Sequence, residues 1–203
     1  MGISTIRKAV FLDRDGVINP TCGTDEFGHS ESPLRLEDFQ IFPYVGQAVR
    51  DFNRAGYLVF VVTNQPAAAK GKTTFDTLAE MHALLLTEVL DTGGGISRIY
   101  TCPHHPDEKQ VVNKTLLGDC ACRKPKPGLL LQAAREFGVD LRYSWMVGDS
   151  WKDIEAGKRA GCRTVLVMSD RNLAEQLVQC EPDFIADNLA EAAAIIRKEE
   201  RDD

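Results

Sequence analysis

The stretch Lys8 to Asn19, KAVFLDRDGVIN, constrains this chain more than any other. Ala9, Val10, Phe11 and Leu12 form an apolar, strand-forming run that stops at Asp13, Arg14, Asp15 and Gly16, the pattern of a buried strand ending in two carboxylates. Side chains alternate along a strand, so Asp13 and Asp15 share one side, about 6 to 7 Å apart, if the chain stays extended. An isolated Asp-x-Asp is more often a solvated strand cap than a site. The rest of the chain shifts that balance.

Apolar, β-branched runs recur at Tyr57 to Val62, Ile99 to Tyr100, Trp145 to Val147 and Thr164 to Val167, with a weaker one at Phe184 to Ile185. Helical patterns lie between them at Val45 to Arg54, Phe75 to Leu90, Gly128 to Phe137, Trp151 to Ala160 and Leu189 to Arg197. This alternation predicts an α/β fold, an open doubly wound and mostly parallel sheet with helices on both faces. Within the second helix, Met81 and the Leu84 to Leu86 run are expected to be core. The 203 residues, 43% of them apolar, fit a single domain over 1–203 that needs no disulfide to hold its core. A net charge of −6 argues against a nucleic-acid partner and gives no attraction to anionic membranes. The N-terminal apolar run is short and ends in charge, unlike a secretory signal or a membrane span, so a cytoplasmic protein is expected.

Doubly wound sheets bind ligands beyond the carboxyl ends of their strands, and here those ends are polar. The first is followed by Asp13 and Asp15 and then by Thr21 to Arg35, an aperiodic segment rich in Gly, Ser, Thr and Pro that reads as a loop, either covering a pocket or lying loose on the surface. The second ends in Thr63, Asn64 and Gln65; the fourth in Gly148, Asp149 and Ser150, with Asp153 one helical turn on. After the third come a Cys/His region and then Arg123, Lys124, Pro125 and Lys126.

Asp13, Asp15, Thr63, Lys124 and Asp149 together supply what phosphoryl transfer needs: a nucleophile, a counter-charge, hydrogen-bond donors and a proton source. Asp13 and Asp149, with the backbone carbonyl of Asp15, could hold Mg²⁺ in an oxygen shell left open for water and a phosphate oxygen. Metal-bound Asp13 stays ionised and attacks, while Asp15, its carboxylate not held by metal, serves as acid and then base. Lys124 carries positive charge to the phosphate, and the Thr63 hydroxyl orients it. A solvated surface lysine is the ordinary alternative for Lys124, but its place between Cys122 and the Pro125/Pro127 pair favours a positioned role.

DRDGVIN, VVTNQ, CRKPKPG and VGDSWKD, in this order, resemble the four motifs of the haloacid dehalogenase (HAD) superfamily of phosphatases. The resemblance implies a Rossmann-like fold, Mg²⁺ and a phospho-aspartyl intermediate. It makes Asp13 the nucleophile, Asp15 the acid/base, Thr63 and Lys124 the phosphate binders and Asp149 a metal ligand, with Asp153 supporting the metal shell.

Cys102-Pro-His104-His105 and Cys120-Ala-Cys122 place three thiols and an imidazole in two tight clusters, enough for a closed tetrahedral Zn²⁺ with no open position and so no catalytic step. His105 could replace His104 as the fourth ligand, and unrelated reduced thiols are the plain alternative. A metal here would fix the loop presenting Arg123 and Lys124. This arrangement looks like that of the D-glycero-D-manno-heptose 1,7-bisphosphate 7-phosphatases and the related histidinol-phosphatase domains. It implies that a zinc loop at about 102–122 stands in for a large cap domain and that Arg123 and Asn64 contact substrate. The implied reaction removes the 7-phosphate on the way to cell-envelope polysaccharide, which belongs to lipopolysaccharide biosynthesis. The partner expected is one small phosphorylated sugar, and the chain is expected to act as a monomer. Histidinol phosphate is the rival substrate, and a non-catalytic zinc-stabilised binding module the rival of another class. The run Pro66, Ala67, Ala68, Ala69, Lys70, Gly71 departs from the Ser-Gly pair of the heptose enzymes, and Pro20 to Leu36 is longer than theirs. Both departures bear on the sugar more than on the reaction.

Overall fold

The computed structural model describes residues 6–23, 31–168 and 173–202. The expected loop from Thr21 to Arg35 therefore lies partly outside the described residues, as does the start of the N-terminal segment. β1 (Lys8–Leu12) pairs in parallel with β2 (Tyr57–Asn64) on one side and with β4 (Trp145–Gly148) on the other. With β3 (Arg98–Cys102), β5 (Arg163–Val167) and β6 (Phe184–Ala186), the sheet has the order β3-β2-β1-β4-β5-β6, every pair parallel. The chain builds outward from β1 in one direction, then returns to β4 and builds in the other. That reversal opens a crevice at the carboxyl ends of β1 and β4, where the Asp13 N–H donates to the Val147 carbonyl at 2.9 Å.

Parallel strands covered on both faces read as unbroken apolar runs, and alternation sorts their side chains into two cores. Val10 and Leu12 join Val59, Val61 and Val147 on the face covered by α1 (Val45–Arg54), α2 (Phe75–Asp91) and α6 (Leu189–Asp202). Ala9 and Phe11 join Phe60, Val62 and Met146 on the face of α3 (Gly128–Phe137) and α4 (Trp151–Ala160). On α2, Met81 and Leu85 are fully buried, but Leu86 is 41% exposed. A helix turns about 100° per residue, so three consecutive leucines cannot all face one core. A further helix, α5 (Leu173–Gln179), was not anticipated: seven residues are too few to show a helical period clearly.

Phe60 stacks against Phe11 at 5.4 Å between ring centroids and meets Phe137 edge-on at 4.9 Å. Phe60→Ala should cost about 3–5 kcal/mol, measured by urea unfolding. Val178→Ala, at a residue 88% exposed, should fall within about 0.5 kcal/mol of the parent. Comparable losses in the two variants would contradict this packing.

Candidate active site

The crevice gathers residues from four strand ends. Lys124, which follows the Cys/His segment, is only 2% exposed. Its Nζ lies 2.8 Å from Asp13 Oδ1 and 2.5 Å from Asp153 Oδ1 and donates to the Val62 carbonyl at 2.7 Å. Asp13 Oδ1 also accepts from the Arg14 N–H at 2.7 Å. Among the described residues nothing bonds Asp13 Oδ2. Asp153 Oδ2 accepts from the N–H and Oγ of Ser150 at 3.1 and 2.5 Å, tying the start of α4 to the same cluster. Asp149 sits against Gly16, where a Cβ would lie 2.1 Å from its Oδ2, and Gly16 has φ +90°. Only glycine meets both the space and the backbone at that point.

Asp13, Asp149 and Asp153 each offer a carboxylate oxygen, all within 4.8 Å of one another. Burial pushes the Asp13 carboxyl up to about 8; Asp153 adds to this, Lys124 opposes it, and Asp149 and Asp15 add more. Burial works against the charge of Lys124 too, yet Asp13 and Asp153 outweigh it and hold the ammonium protonated. Lys124 is thus paired with Asp13 and Asp153 beside the Asp149 carboxylate, and the three carboxylates make a hard-oxygen donor set. That set fits a divalent ion such as Mg²⁺.

Asp15 lives differently. Arg14, itself fully buried, donates to its Oδ1 from Nε at 3.2 Å and from Nη2 at 2.9 Å. Asn19 donates to Oδ1 at 2.9 Å, while Ser32 and Gln65 donate to Oδ2 at 2.8 and 2.6 Å. Burial alone would raise its pKa, but Arg14 and the bonds from Asn19 and Ser32 hold it below the ordinary carboxylate range. Two adjacent aspartates therefore have proton affinities pushed apart, a pattern that separates acid/base roles. Of the cage around Asp15, sequence position singles out only Gln65, at a strand end; it gives Arg14, Asn19 and Ser32 no role. The one signal available is Arg14, a basic residue set between two aspartates just past the end of β1.

Thr63 is fully buried, and its Oγ1 accepts from Gln65 Nε2 at 2.9 Å, so Gln65 bridges Thr63 and Asp15. Asn64 lines the pocket, but both ends of its amide engage the Lys124 backbone, accepting from the N–H at 3.1 Å and donating to the carbonyl at 3.2 Å. This braces the segment that carries the lysine. Arg123 also lines the pocket, its Nη1 bonded to the His104 carbonyl at 3.1 Å. The Pro66 to Ala69 departure is a packed turn: Ala67, Ala68 and Ala69 are buried, and the Ala69 carbonyl accepts from the N–H groups of Val112 and Asn113 at 2.9 and 3.0 Å. Just past this turn Lys72 pairs with Glu31.

Beside this pocket, Cys102, His104, Cys120 and Cys122 converge. Cys122 Sγ lies 3.1 Å from Cys120 Sγ, 3.2 Å from Cys102 Sγ and 3.4 Å from His104 Nδ1. These sulfurs are too far apart for disulfides, whose S–S bond is about 2.05 Å. Four soft donors around one point fit Zn²⁺. His104, not His105, turns into the cluster: His105 Nδ1 instead accepts the Asp107 N–H at 3.2 Å.

A family model described as HAD-hydrolase-like matches residues 121–192. A D-glycero-beta-D-manno-heptose-1,7-bisphosphate 7-phosphatase of Pseudomonas aeruginosa is 37% identical over 193 residues, spanning 94% of this chain and 98% of the relative. One from Pasteurella multocida is 34% identical over 193 residues, 95% and 98% of the two chains. Among solved structures, the D,D-heptose 1,7-bisphosphate phosphatase of B. bronchiseptica, complexed with magnesium and phosphate, superposes with a TM-score of 0.77 at 30% identity, covering 96% of this chain and 99% of that one.

The raised pKa of Asp13 carries a sign. The folded chain binds its proton more tightly than the unfolded one, so the stability this gives is complete below the ordinary carboxylate range and is lost as pH rises through about 8. Without divalent ions, Asp13→Asn should therefore gain on the wild type as pH rises from about 5 to about 8, melting several degrees higher at the top of that range. Parallel melting curves for the two proteins across that range would contradict the crowding of charge described here.

Proposed function

The chain belongs to the D-glycero-D-manno-heptose-1,7-bisphosphate 7-phosphatase family of HAD-like hydrolases, and from that premise we propose that it removes the 7-phosphate of D-glycero-D-manno-heptose 1,7-bisphosphate through an aspartyl phosphate on Asp13. It is a phosphoric monoester hydrolase. The observation that carries the reaction is the Lys124 ammonium 2.8 Å from Asp13 within a cluster that includes Asp149. The substrate rests on the near full-length likeness to the heptose enzymes.

Asp13 Oδ1 is tied by Lys124 and the Arg14 N–H, which leaves Oδ2 to attack phosphorus as the bond to the sugar oxygen breaks. Lys124 and Thr63 would orient the phosphoryl oxygens, and Arg123, with Asn64 bracing the loop, would face the sugar. Asp15 passes a proton to the departing oxygen. It then takes one from water, whose oxygen attacks the aspartyl phosphate, releasing phosphate and restoring Asp13. The cage around Asp15 favours its ionised form, the base that the second step requires. The entering phosphate, adding negative charge nearby, favours the protonated form that the first step requires. Mg²⁺, held by Asp13, Asp149 and the Asp15 carbonyl with Asp153 in support, would offset phosphate charge and polarise the group for attack.

The Cys102, His104, Cys120 and Cys122 cluster is read as a structural Zn²⁺ site within one domain over 1–203, its loop at about 102–122 doing the work of a cap. Thiols gathered around an imidazole rather than bridged fit a reducing cytoplasm.

Two measurements test this reading. Phosphate release should show the heptose bisphosphate preferred over histidinol phosphate in kcat/KM, with Asp13→Asn at least about 10³-fold slower, in keeping with loss of a nucleophile; a preference for histidinol phosphate would overturn the substrate. Chelation should release about one zinc per chain and sharply lower the melting temperature, since structural zinc is worth on the order of 10 kcal/mol. Protein grown with zinc that carries no tightly bound metal would defeat the zinc assignment.

A further inference from the structure

His105 is the one histidine of the Cys102-Pro-His104-His105 run left without a task once His104 has joined the thiols. Neighbouring residues in extended chain point to opposite sides, so placing His104 in the cluster turns His105 toward the pocket. Its backbone is fixed by a parallel bridge to Leu117: its N–H donates to the Leu116 carbonyl at 3.1 Å, and its carbonyl accepts from the Gly118 N–H at 3.2 Å. The ring lines the active-site pocket together with Arg123, Lys70 and Gln110, and the residue is only 8% exposed.

The hydrogen-bond pattern fixes the tautomer. Nδ1 accepts the Asp107 N–H at 3.2 Å, so a neutral ring carries its proton on Nε2. Among the described residues nothing bonds Nε2, and His105 is part of the pocket lining. A donor that meets no protein acceptor and opens onto a pocket is free to be taken by a ligand or water there.

The place of this donor narrows what it takes. The segment bearing His105 leaves β3, which stands two strands from β1 in the sheet, or about 10 Å from the strand that carries Asp13 at the usual strand spacing. An ester no longer than its phosphate would not span that offset; one bearing an extended hydroxylated carbon chain would. A single neutral N–H suits an uncharged oxygen, while Arg123 alongside would draw any second anionic group. Taking the phosphatase reading above as its ground, we propose that His105 is a specificity residue whose Nε2–H donates to a hydroxyl of the substrate's polyol chain, and that it is not a metal ligand.

The test compares wild type, His105→Ala and His105→Gln on two substrates: the polyol phosphate ester that wild type turns over fastest, and p-nitrophenyl phosphate, which has no hydroxyl. Because the first is chosen by wild-type activity, failure of the heptose substrate itself would leave the comparison in force. The ratio of kcat/KM between polyol ester and p-nitrophenyl phosphate should fall about tenfold in the Ala variant, mainly through KM, as for loss of one net hydrogen bond. His105→Gln, which keeps an N–H near the same reach, should recover part of the ratio, and both variants should retain the wild-type zinc content. Equal losses on both substrates, an unchanged ratio or zinc missing from the Ala variant would each overturn the assignment.

Discussion

Lys124 is a charged group almost wholly removed from water, and it keeps its charge because Asp13, Asp153 and the Val62 carbonyl surround its Nζ. Taking an ammonium out of water costs several kcal/mol unless such partners are in place. The contacts therefore define each other: the end of β1, the start of α4 and the segment after β3 must all meet for any of these charges to be buried. The result is a buried lysine held between Asp13 and Asp153 at the base of a pocket, with the Asp149 carboxylate close by.

What holds Lys124 at that point is a chain of local devices. Asn64, the last residue of β2, grips the lysine's backbone at both its N–H and its carbonyl. Just upstream, Cys122 draws the chain toward Cys102 and Cys120. The Arg123 side chain bonds the His104 carbonyl, so the cysteine cluster and the lysine are tied into one continuous stretch of backbone. The heptose relatives bear a likeness over nearly the full chain.

Much of this was legible in the sequence, for a physical reason. Strands buried on both faces are apolar along their whole length, so β1, β2, β4 and β5 stood out, and their polar termini marked the site. Periodicity also placed α1, α3 and α4, each long enough to show its buried stripe. β2 runs two residues beyond its apolar stretch because Thr63 and Asn64 still pair with Thr101 and Cys102 of β3, a ladder that composition does not reveal. The donor cage on Asp15 was not legible: Ser32 and Gln65 come from segments that only the fold brings to it, and nothing in the sequence shows that the nearby Arg14 and Asn19 side chains turn back onto it. The choice between His104 and His105 was closed to spacing alone: it turns on the bridge to Leu117, a contact between two parts of the loop.

In the proposed reaction Asp13 Oδ2 receives phosphorus while Lys124 holds the other oxygen. A crystal structure grown with Mg²⁺ and beryllofluoride, which mimics an acyl phosphate, tests it directly. The expected adduct has beryllium bonded to Asp13 Oδ2, with Lys124 still within hydrogen-bond reach of the same carboxylate and fluorides facing Thr63. A beryllofluoride bound to another residue, or an adduct on Asp13 with Lys124 swung out of the cluster, would contradict it.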